Sequence, residues 1–181
     1  MATEKKLDCV ILGLLSHEDL TGYEIKKRMD TALHYFWSAS YGSIYPTLKE
    51  LLEKKHVTVS QVDTGRRNKQ LYSITPKGSA FLNQWLEKPV GKDELRYETL
   101  LKLFFGKEAG VKQTLIHIRA FESRIQKELL ILRMAQQTLK MHLKEDSTHL
   151  YYLLTVDFGI KTYEAYMDWC KYAVGMLKGV Q

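Results

Sequence analysis

The most informative part of the sequence is residues 38–53, Ser-Ala-Ser-Tyr-Gly-Ser-Ile-Tyr-Pro-Thr-Leu-Lys-Glu-Leu-Leu-Glu. Apolar side chains recur in it at the spacing of one helix face, namely Ile44, Leu48, Leu51 and Leu52. The opposite face carries hydroxyl and ammonium groups, on Ser43, Tyr45, Thr47 and Lys49. Such groups suit the phosphates and base edges of a DNA major groove. An ordinary amphipathic surface helix is the alternative, and the flanking sequence has to distinguish the two.

The sequence after Lys55 changes from a helical period to an alternating one, which predicts two β-strands. Between them lies a glycine-containing turn, residues 63–69, that holds three cations: Arg66, Arg67 and Lys69. Cations at the tip of a hairpin suit DNA phosphates, and a solvated turn is the alternative. Thr75 and Pro76 then predict a further helix, with Thr75 as N-cap and Pro76 at the first helical position.

Two helices are predicted before residue 38. The first covers about residues 5–16, and the second extends from Gly22 to about Leu33 with its basic residues 26–28 facing outward. Thr21 and Glu24 have the spacing of a capping box at the start of the second helix. Three helices, a hairpin and a returning helix predict a winged helix-turn-helix DNA-binding domain over residues 1–88.

The C-terminal half is predicted to be helical after a linker at residues 88–95. A short helix over residues 97–106 precedes two long helices that meet near residues 144–147. Both long helices repeat apolar residues at the 4-3 spacing of a coiled-coil seam, and a second apolar line indicates a second partner. We assign residues 96–181 to a helical dimerisation and effector domain. The predicted fold is thus mainly α with a small β-hairpin.

The charge of the chain is informative only locally. The formal net charge is +6, and residues 1–88 and 89–181 carry equal shares of the surplus. Residues 42–77 hold seven basic and three acidic residues, so the excess is concentrated where the helix and hairpin are predicted. A basic segment favours an acidic partner such as DNA.

Several functional classes lack support in the sequence. Cys9 and Cys170 are far apart in apolar helical patterns, which favours buried thiols in a reducing compartment over a disulfide or a metal site. The longest apolar run, residues 9–15, is too short to cross a membrane, and no signal peptide is recognisable, so we expect a cytoplasmic protein. His142 and His149 are interpreted as solvated, and metalloprotease, Cys-x-x-Cys and phosphate-loop motifs are missing. We expect no enzyme activity, catalytic residue, metal or cofactor.

Several motifs resemble those of the PadR family of winged-helix transcriptional regulators. They are residues 11–15 (Ile-Leu-Gly-Leu-Leu), 22–25 (Gly-Tyr-Glu-Ile), 36–40 (Phe-Trp-Ser-Ala-Ser) and 42–51 (Gly-Ser-Ile-Tyr-Pro-Thr-Leu-Lys-Glu-Leu), extended by 69–78. Residues 101–106 resemble the branch of the family that has a long helical dimerisation domain. The resemblance implies a sequence-specific regulator, a homodimeric repressor that binds a palindromic operator in double-stranded DNA and is relieved by a small aromatic ligand.

The resemblance implies a recognition helix at residues 41–55 and a wing at residues 57–75. The DNA-binding residues assigned in this way are Ser40, Tyr41, Ser43, Tyr45, Lys49, Arg66, Arg67 and Lys69. In this assignment the helix reads bases and the wing cations bind phosphates.

A dimer would present two recognition helices to half-sites about one helical turn apart. The seam residues assigned to dimerisation are Ile118, Glu122, Ile125, Ile160, Tyr163, Met167, Cys170 and Val174. Glu122 and Gln136 interrupt the apolar seam, and we hypothesise that they set its register or meet a partner.

Aromatic residues on both sides of the linker suggest a ligand site. The Phe-Trp-Ser-Ala run resembles family members that respond to phenolic acids, and the candidate ligand-binding residues are Phe36, Trp37, Tyr97, Phe104 and Phe105. We hypothesise that they form a pocket for a small aromatic acid, with plain domain-interface core as the alternative. The competing function is a basic helical protein-interaction module that does not read DNA. It would explain the two apolar lines but not the cationic hairpin beside the hydroxyl-rich helix.

Overall fold

The computed structural model describes residues 6–63, 68–91 and 97–179. The chain divides into two compact units, Met1–Lys92 and Asp93–Gln181. The predicted linker, residues 88–95, lies at this division, and residues 92–95 of it are outside the described part. The domain boundaries at residues 88 and 96 therefore stay predictions.

The N-terminal unit combines helices with a small antiparallel sheet. Its described elements are α1 (Lys6–Leu15), β1 (Leu20–Thr21), α2 (Gly22–Arg28), a π-helical segment (Met29–Leu33), α3 (Tyr41–Glu53), β2 (Val57–Asp63), β3 (Asn68–Ile74) and α4 (Pro76–Leu86). The strand order is β1-β3-β2. The second predicted helix thus changes from α to π geometry at Met29, and β1 was missed, because two residues are too few to show an alternating pattern.

The β2–β3 hairpin pairs Val57 with Ile74 at its base and Asp63 with Asn68 near its tip. The connecting residues 64–67, which include Arg66 and Arg67, lie outside the described residues. At the other edge of β3, Leu20 pairs with Tyr72. Strand β1 therefore ties the start of α2 directly to the wing.

The core of the N-terminal unit holds α3 by its apolar face. Ile44, Leu48 and Leu51 are fully buried among side chains of α1, α2, β2 and β3. Thr47 was predicted on the free face, but it is buried, and its hydroxyl donates to the Ser43 carbonyl at 2.8 Å. A threonine hydroxyl can be satisfied by the preceding turn of its own helix, so Thr47 belongs to the buried side.

The two predicted N-caps are present. Thr21 Oγ1 accepts a hydrogen bond from the Glu24 amide at 3.3 Å, and the Glu24 carboxylate accepts one from the Thr21 amide at 2.8 Å, which is a complete capping box. Thr75 Oγ1 accepts from the Gly78 amide at 3.0 Å, with Pro76 at the first position of α4. A Cβ on Gly78 would lie 2.1 Å from the His56 carbonyl oxygen, so α4 packs against the α3–β2 junction only with glycine there.

The C-terminal unit contains α5 (Glu98–Phe104), α6 (Gly106–His142) and α7 (Thr148–Lys178). Helix α6 is interrupted at Gly110, whose φ of 81° lies in the left-handed region that glycine tolerates. Helices α6 and α7 form an antiparallel hairpin with its own apolar core. Among the described residues, no helix has both the length and the apolar character needed to span a membrane.

Candidate DNA-binding surface

Helix α3 presents the predicted reading side chains on its exposed face. Tyr41, Tyr45 and Lys49 are exposed, one helical turn apart from each other. Ser40, at the N-cap position, is exposed as well. Of the eight assigned residues, the structure thus places three along one line of the helix, with Ser40 at the N-cap of the same helix.

The serines at the start of α3 are already hydrogen-bonded to one another. Ser43 Oγ donates to the Ser40 carbonyl at 2.8 Å and lies 3.4 Å from Ser40 Oγ. The Ser43 hydroxyl proton is therefore used within the protein. In the 3.4 Å contact Ser40 is then the donor, so both serine hydroxyl protons have acceptors within the protein.

The two tyrosines of α3 form a stacked pair. Their ring centroids are 6.4 Å apart and their planes differ by 18°. The ammonium of Lys26 lies 5.7 Å from the centroid of the Tyr41 ring, a cation–π distance. Lys26 was predicted to face solvent, but its side chain is only 16% exposed and it also pairs with Asp30.

Cations surround this tyrosine pair. Lys27, Lys49 and Lys69 are exposed and have no ion-pair partner among the described residues. Hydrogen bonds from Thr21 lower the pKa of Glu24, and the positive charge of Lys69 adds to the effect. The wing lysine is therefore close to the start of α2, with its own charge available for a phosphate.

A groove of about 460 Å³ lies between α2, α3 and the wing. Two of its lining residues, Tyr45 and Lys69, are predicted DNA-binding residues. The whole lining consists of Thr21, Gly22, Tyr23, Glu24, Lys27, Tyr45, Lys69, Gln70 and Tyr72. The basic run at residues 26–28 was the available sequence signal for Lys27. Tyr23 and Gln70 belong to the motifs at residues 22–25 and 69–78, but their place in this groove was not predicted, because it depends on the β1–β3 pairing.

The five aromatic residues predicted to bind a ligand are divided between the two units. Phe36 is exposed, and Trp37 packs against the N-terminal core. Phe104 and Phe105 are exposed and contact each other edge to face, with centroids 5.1 Å apart. Tyr97 packs against the C-terminal core. A shared pocket of these residues stays a prediction.

Tyr97, the candidate ligand-binding tyrosine of the C-terminal unit, interacts with a second tyrosine. The Tyr97 and Tyr166 hydroxyls are hydrogen-bonded to each other. Burial, and then this hydrogen bond, raise the pKa of Tyr166 to about 12. The Tyr166 phenol is therefore neutral at physiological pH.

The residues assigned to dimerisation lie along the inside of the α6–α7 hairpin of one chain. Five are buried, Ile118, Ile125, Ile160, Cys170 and Val174, while Tyr163 and Met167 pack beside them. Glu122 accepts a hydrogen bond from Arg119 at 2.9 Å. The assignment to a dimer interface stays a prediction, and this burial accounts for the seam without a second subunit.

Gln136, the other polar interruption of the seam, also acts within the hairpin. Its side-chain amide donates to Asp157 Oδ1 at 2.6 Å. Arg133 and Glu164 pair nearby at 2.8 Å. These polar contacts join α6 to α7 of the same chain and favour one register of the two helices.

Within the part of the chain that the structure describes, no three His, Cys, Asp or Glu side chains are placed to hold a metal ion. His142 and His149 are near each other, with ring centroids 6.2 Å apart. The hydrogen bonds of both rings go to backbone carbonyls, those of Thr138 and His142 respectively.

The helices α1 to α3, followed by a hairpin that pairs with a short first strand, define a winged helix-turn-helix. The protein is therefore a member of the winged-helix class and has a C-terminal helical hairpin. The sequence model of the PadR-like transcriptional regulator family matches residues 11–84, and the one described as virulence activator alpha C-term matches residues 95–178. The winged-helix part of the chain, residues 11–84, belongs to the PadR-like transcriptional regulator family, whose members are regulators and not enzymes.

Similar proteins come from Bacillus. The negative transcriptional regulator PadR of Bacillus subtilis is 34% identical over 102 residues, which are 55% of this chain and 56% of that protein. The match thus spans just over half the length of this relative. A PadR-like transcriptional regulator from Bacillus cereus has a crystal structure with a TM-score of 0.79 at 26% identity, covering 97% of this chain and 99% of that one.

The Bacillus subtilis PadR has also been solved in two complexes. With operator DNA, the TM-score is 0.80 at 25% identity, and 96% of this chain and 99% of that chain are covered. With p-coumaric acid, the TM-score is 0.75 at 25% identity, and 95% and 98% are covered. The predicted fold class, mainly α with a winged helix-turn-helix and a long-helix C-terminal domain, is confirmed.

Proposed function

We propose that this protein is a sequence-specific transcriptional repressor that binds a palindromic operator as a homodimer in the cytoplasm. The observation that carries the proposal is the exposed face of α3, which presents Tyr41, Tyr45 and Lys49. Of these, Tyr45 shares a groove with the wing lysine Lys69. The negative regulation named for the Bacillus subtilis relative and its complex with operator DNA support the same function.

In the proposed complex, α3 contacts base pairs and the wing contacts the sugar-phosphate backbone. Tyr45 and Lys49 lie on the helix face that would enter a major groove, where side chains distinguish base pairs. Lys69 lies on the flanking hairpin, where a cation meets the sugar-phosphate backbone and releases counterions whatever the sequence. Loss of a helix residue should therefore reduce discrimination, and loss of the wing lysine should reduce affinity for every duplex.

The test begins with sequences selected from random DNA by the full-length protein. Binding is then measured on the selected site and on a random duplex at several salt concentrations. Tyr45→Ala or Lys49→Ala should cost about 1–3 kcal/mol of discrimination. Lys69→Ala should weaken both complexes and make the salt slope shallower by about one unit. Lys140→Ala, an exposed lysine of α6, is the matched control.

Two results would contradict this division. Equal losses on selected and random DNA for Tyr45→Ala and Lys49→Ala would show that α3 is not the reader. Failure of the unaltered protein to bind any duplex, even at low salt, would favour the protein-interaction module instead.

Relief by a small aromatic acid is the effector part of the proposal. Its support is the complex of the Bacillus subtilis PadR with p-coumaric acid, together with the aromatic residues of the C-terminal unit. The binding measurement repeated with p-coumaric acid tests it. A tenfold loss of operator affinity requires about 1.4 kcal/mol of differential ligand binding, and an unchanged affinity would remove this acid as effector.

The dimer is proposed to form through exposed apolar side chains of the C-terminal helices. Helix α7 exposes Leu150, Leu154 and Phe158 at successive turns, and α6 exposes Ile131 and Met134. Side chains of this kind in a contiguous line favour a protein partner. A second copy of the chain is the partner that an operator with two half-sites requires.

A further inference from the structure

The start of α2 has a space that only a glycine leaves open. A Cβ built on Gly22 would lie 2.7 Å from Cε1 of Tyr45, 3.0 Å from its Cζ and 3.1 Å from its hydroxyl oxygen. The Tyr45 ring therefore rests directly on the Gly22 backbone. Gly110 is the only glycine with a positive φ in the described residues, so the Gly22 backbone itself would accept alanine.

The ring of Tyr45 is also bounded on its other sides. Tyr41 stacks on it from the preceding turn of α3, and Lys26 of α2 lies over the Tyr41 ring. From the wing, Tyr72 is buried, and its pKa is raised by that burial and by the proximity of Tyr45. The phenol of Tyr45 thus lies between α2 and β3 with about half of its surface exposed.

Such confinement has a consequence for recognition. An exposed tyrosine at the surface of a helix usually samples several side-chain orientations, and ordering it on binding costs about 0.5–1.5 kcal/mol. A ring already held against backbone, a second ring and the wing has lost that freedom before DNA arrives. Displacement of the ring by about 1 Å would also move its hydroxyl away from a base edge or phosphate.

We infer that Gly22 is a positioning residue for DNA recognition, because the missing side chain lets α2 hold the Tyr45 phenol in one orientation. This inference rests on the proposed function, and it assigns a specificity role to a residue whose own atoms need not contact DNA. The α2 helix then acts on the reading surface through Gly22 beneath Tyr45 and through Lys26 above Tyr41.

The decisive variant is Gly22→Ala. The atoms that the new methyl group meets are at the far end of a side chain, so Tyr45 moves aside while the backbone stays in place. Selected-site over random-duplex affinity should fall about tenfold, which corresponds to about 1.4 kcal/mol. Gly13→Ala is the matched control, because a Cβ there meets nothing within 4 Å. Denaturant midpoints of both variants verify that they are folded.

A double-mutant cycle separates positioning from a general structural role. In a Tyr45→Ala background, Gly22→Ala should cause no further loss of discrimination, since the residue through which it acts is gone. A loss of the same size in both backgrounds would overturn the inference, because Gly22 would then act by another route.

A measurement without DNA distinguishes the positioning role of Gly22 from the proposed DNA-binding function. The ring resonances of Tyr41 and Tyr45, assigned with Tyr41→Phe and Tyr45→Phe, should shift in Gly22→Ala and not in Gly13→Ala. Unchanged resonances, or full discrimination in Gly22→Ala, would overturn the inference alone. A lack of discrimination in the unaltered protein would overturn the proposed function, and with it the recognition role of Gly22.

Discussion

His56 occupies the junction between the proposed reading helix and the wing. Its ring is buried and stacks on Phe81 of α4, with centroids 4.8 Å apart. Its backbone carbonyl accepts a hydrogen bond from the Thr75 amide at 3.0 Å. One residue before it, Lys55 has a φ of 60°, so the chain turns sharply out of α3 at this point. A change at His56 therefore affects both elements that are proposed to contact DNA.

The surroundings of this histidine disfavour its charged form. Burial lowers the pKa of His56 below 6.5, Lys77 of α4 and Lys54 at the end of α3 lower it further, and Asp8 of α1 opposes them. The unfolded chain takes up the proton near 6.5, and the folded chain does so only at lower pH. Between these two values the unfolded state binds more protons, so folding is stabilised above about pH 6.5 and loses this contribution as the pH falls.

We predict that the free energy of unfolding of the N-terminal unit falls between about pH 7.5 and about pH 5.5, and that His56→Gln reduces this fall. Urea denaturation at the two pH values measures it, and the comparison is between pH values within each variant. His17→Gln, at an exposed histidine of the same unit, is the control. The same pH dependence in His56→Gln as in the unaltered protein would contradict the assignment.

At the scale of elements, the start of α4 joins three parts of the winged domain. Thr75 Oγ1 accepts from the Gly78 amide at 3.0 Å and donates to the Lys55 carbonyl, 2.8 Å away. The Lys77 ammonium donates to the Lys54 carbonyl at 2.9 Å. The first residues of α4 and its N-cap therefore also hold the end of α3 to the base of the wing.

Thr75→Ala should lower the free energy of unfolding by about 1–2 kcal/mol, at the upper end for a lost N-cap, because a backbone acceptor loses its donor as well. Chemical denaturation measures the loss. Thr75→Ser keeps the hydroxyl and should retain most of the stability. If serine and alanine were equally destabilising, the contribution would come from the methyl group and not from the cap.

At the scale of the whole molecule, the proposed binding of one operator by two α3 helices requires association of two chains. The described part of the C-terminal hairpin has a filled core between α6 and α7 and a separate line of exposed apolar side chains on α7. Substitution on that line leaves the hairpin core intact. It therefore tests association without unfolding the subunit.

We predict that the full-length protein is a dimer by light scattering and that Leu154→Glu with Phe158→Glu shifts it to monomer and weakens operator binding. Buried carboxylates without partners destabilise an interface strongly. Lys144→Glu, in the exposed α6–α7 connection, makes the same change in net charge and should leave the dimer intact. A double variant that keeps the dimer mass would place the interface elsewhere, and a monomeric unaltered protein would contradict the dimer itself.

Features that depend on nearby residues were predictable from the sequence. The capping box at Thr21, the Thr75–Pro76 helix start and the β2–β3 hairpin each follow from residues a few positions apart. The apolar face of α3 follows from its helical spacing, and with the resemblance of residues 42–51 it predicted the family. Most of the fold was accessible in this way, because capping, turn formation and periodicity act over one or two turns of chain.

Tertiary structure alone decided how the reading surface is supported. Three features of this support depend on contacts between elements that lie some 15 to 50 residues apart in sequence: strand β1, Lys26 over Tyr41, and Gly22 beneath Tyr45. The coiled-coil spacing likewise does not state whether its partner is the same chain or another, and here α6 and α7 of one chain bury it. The physical reason is that a periodic pattern specifies which face is apolar, whereas the packing of the folded chain determines what covers that face.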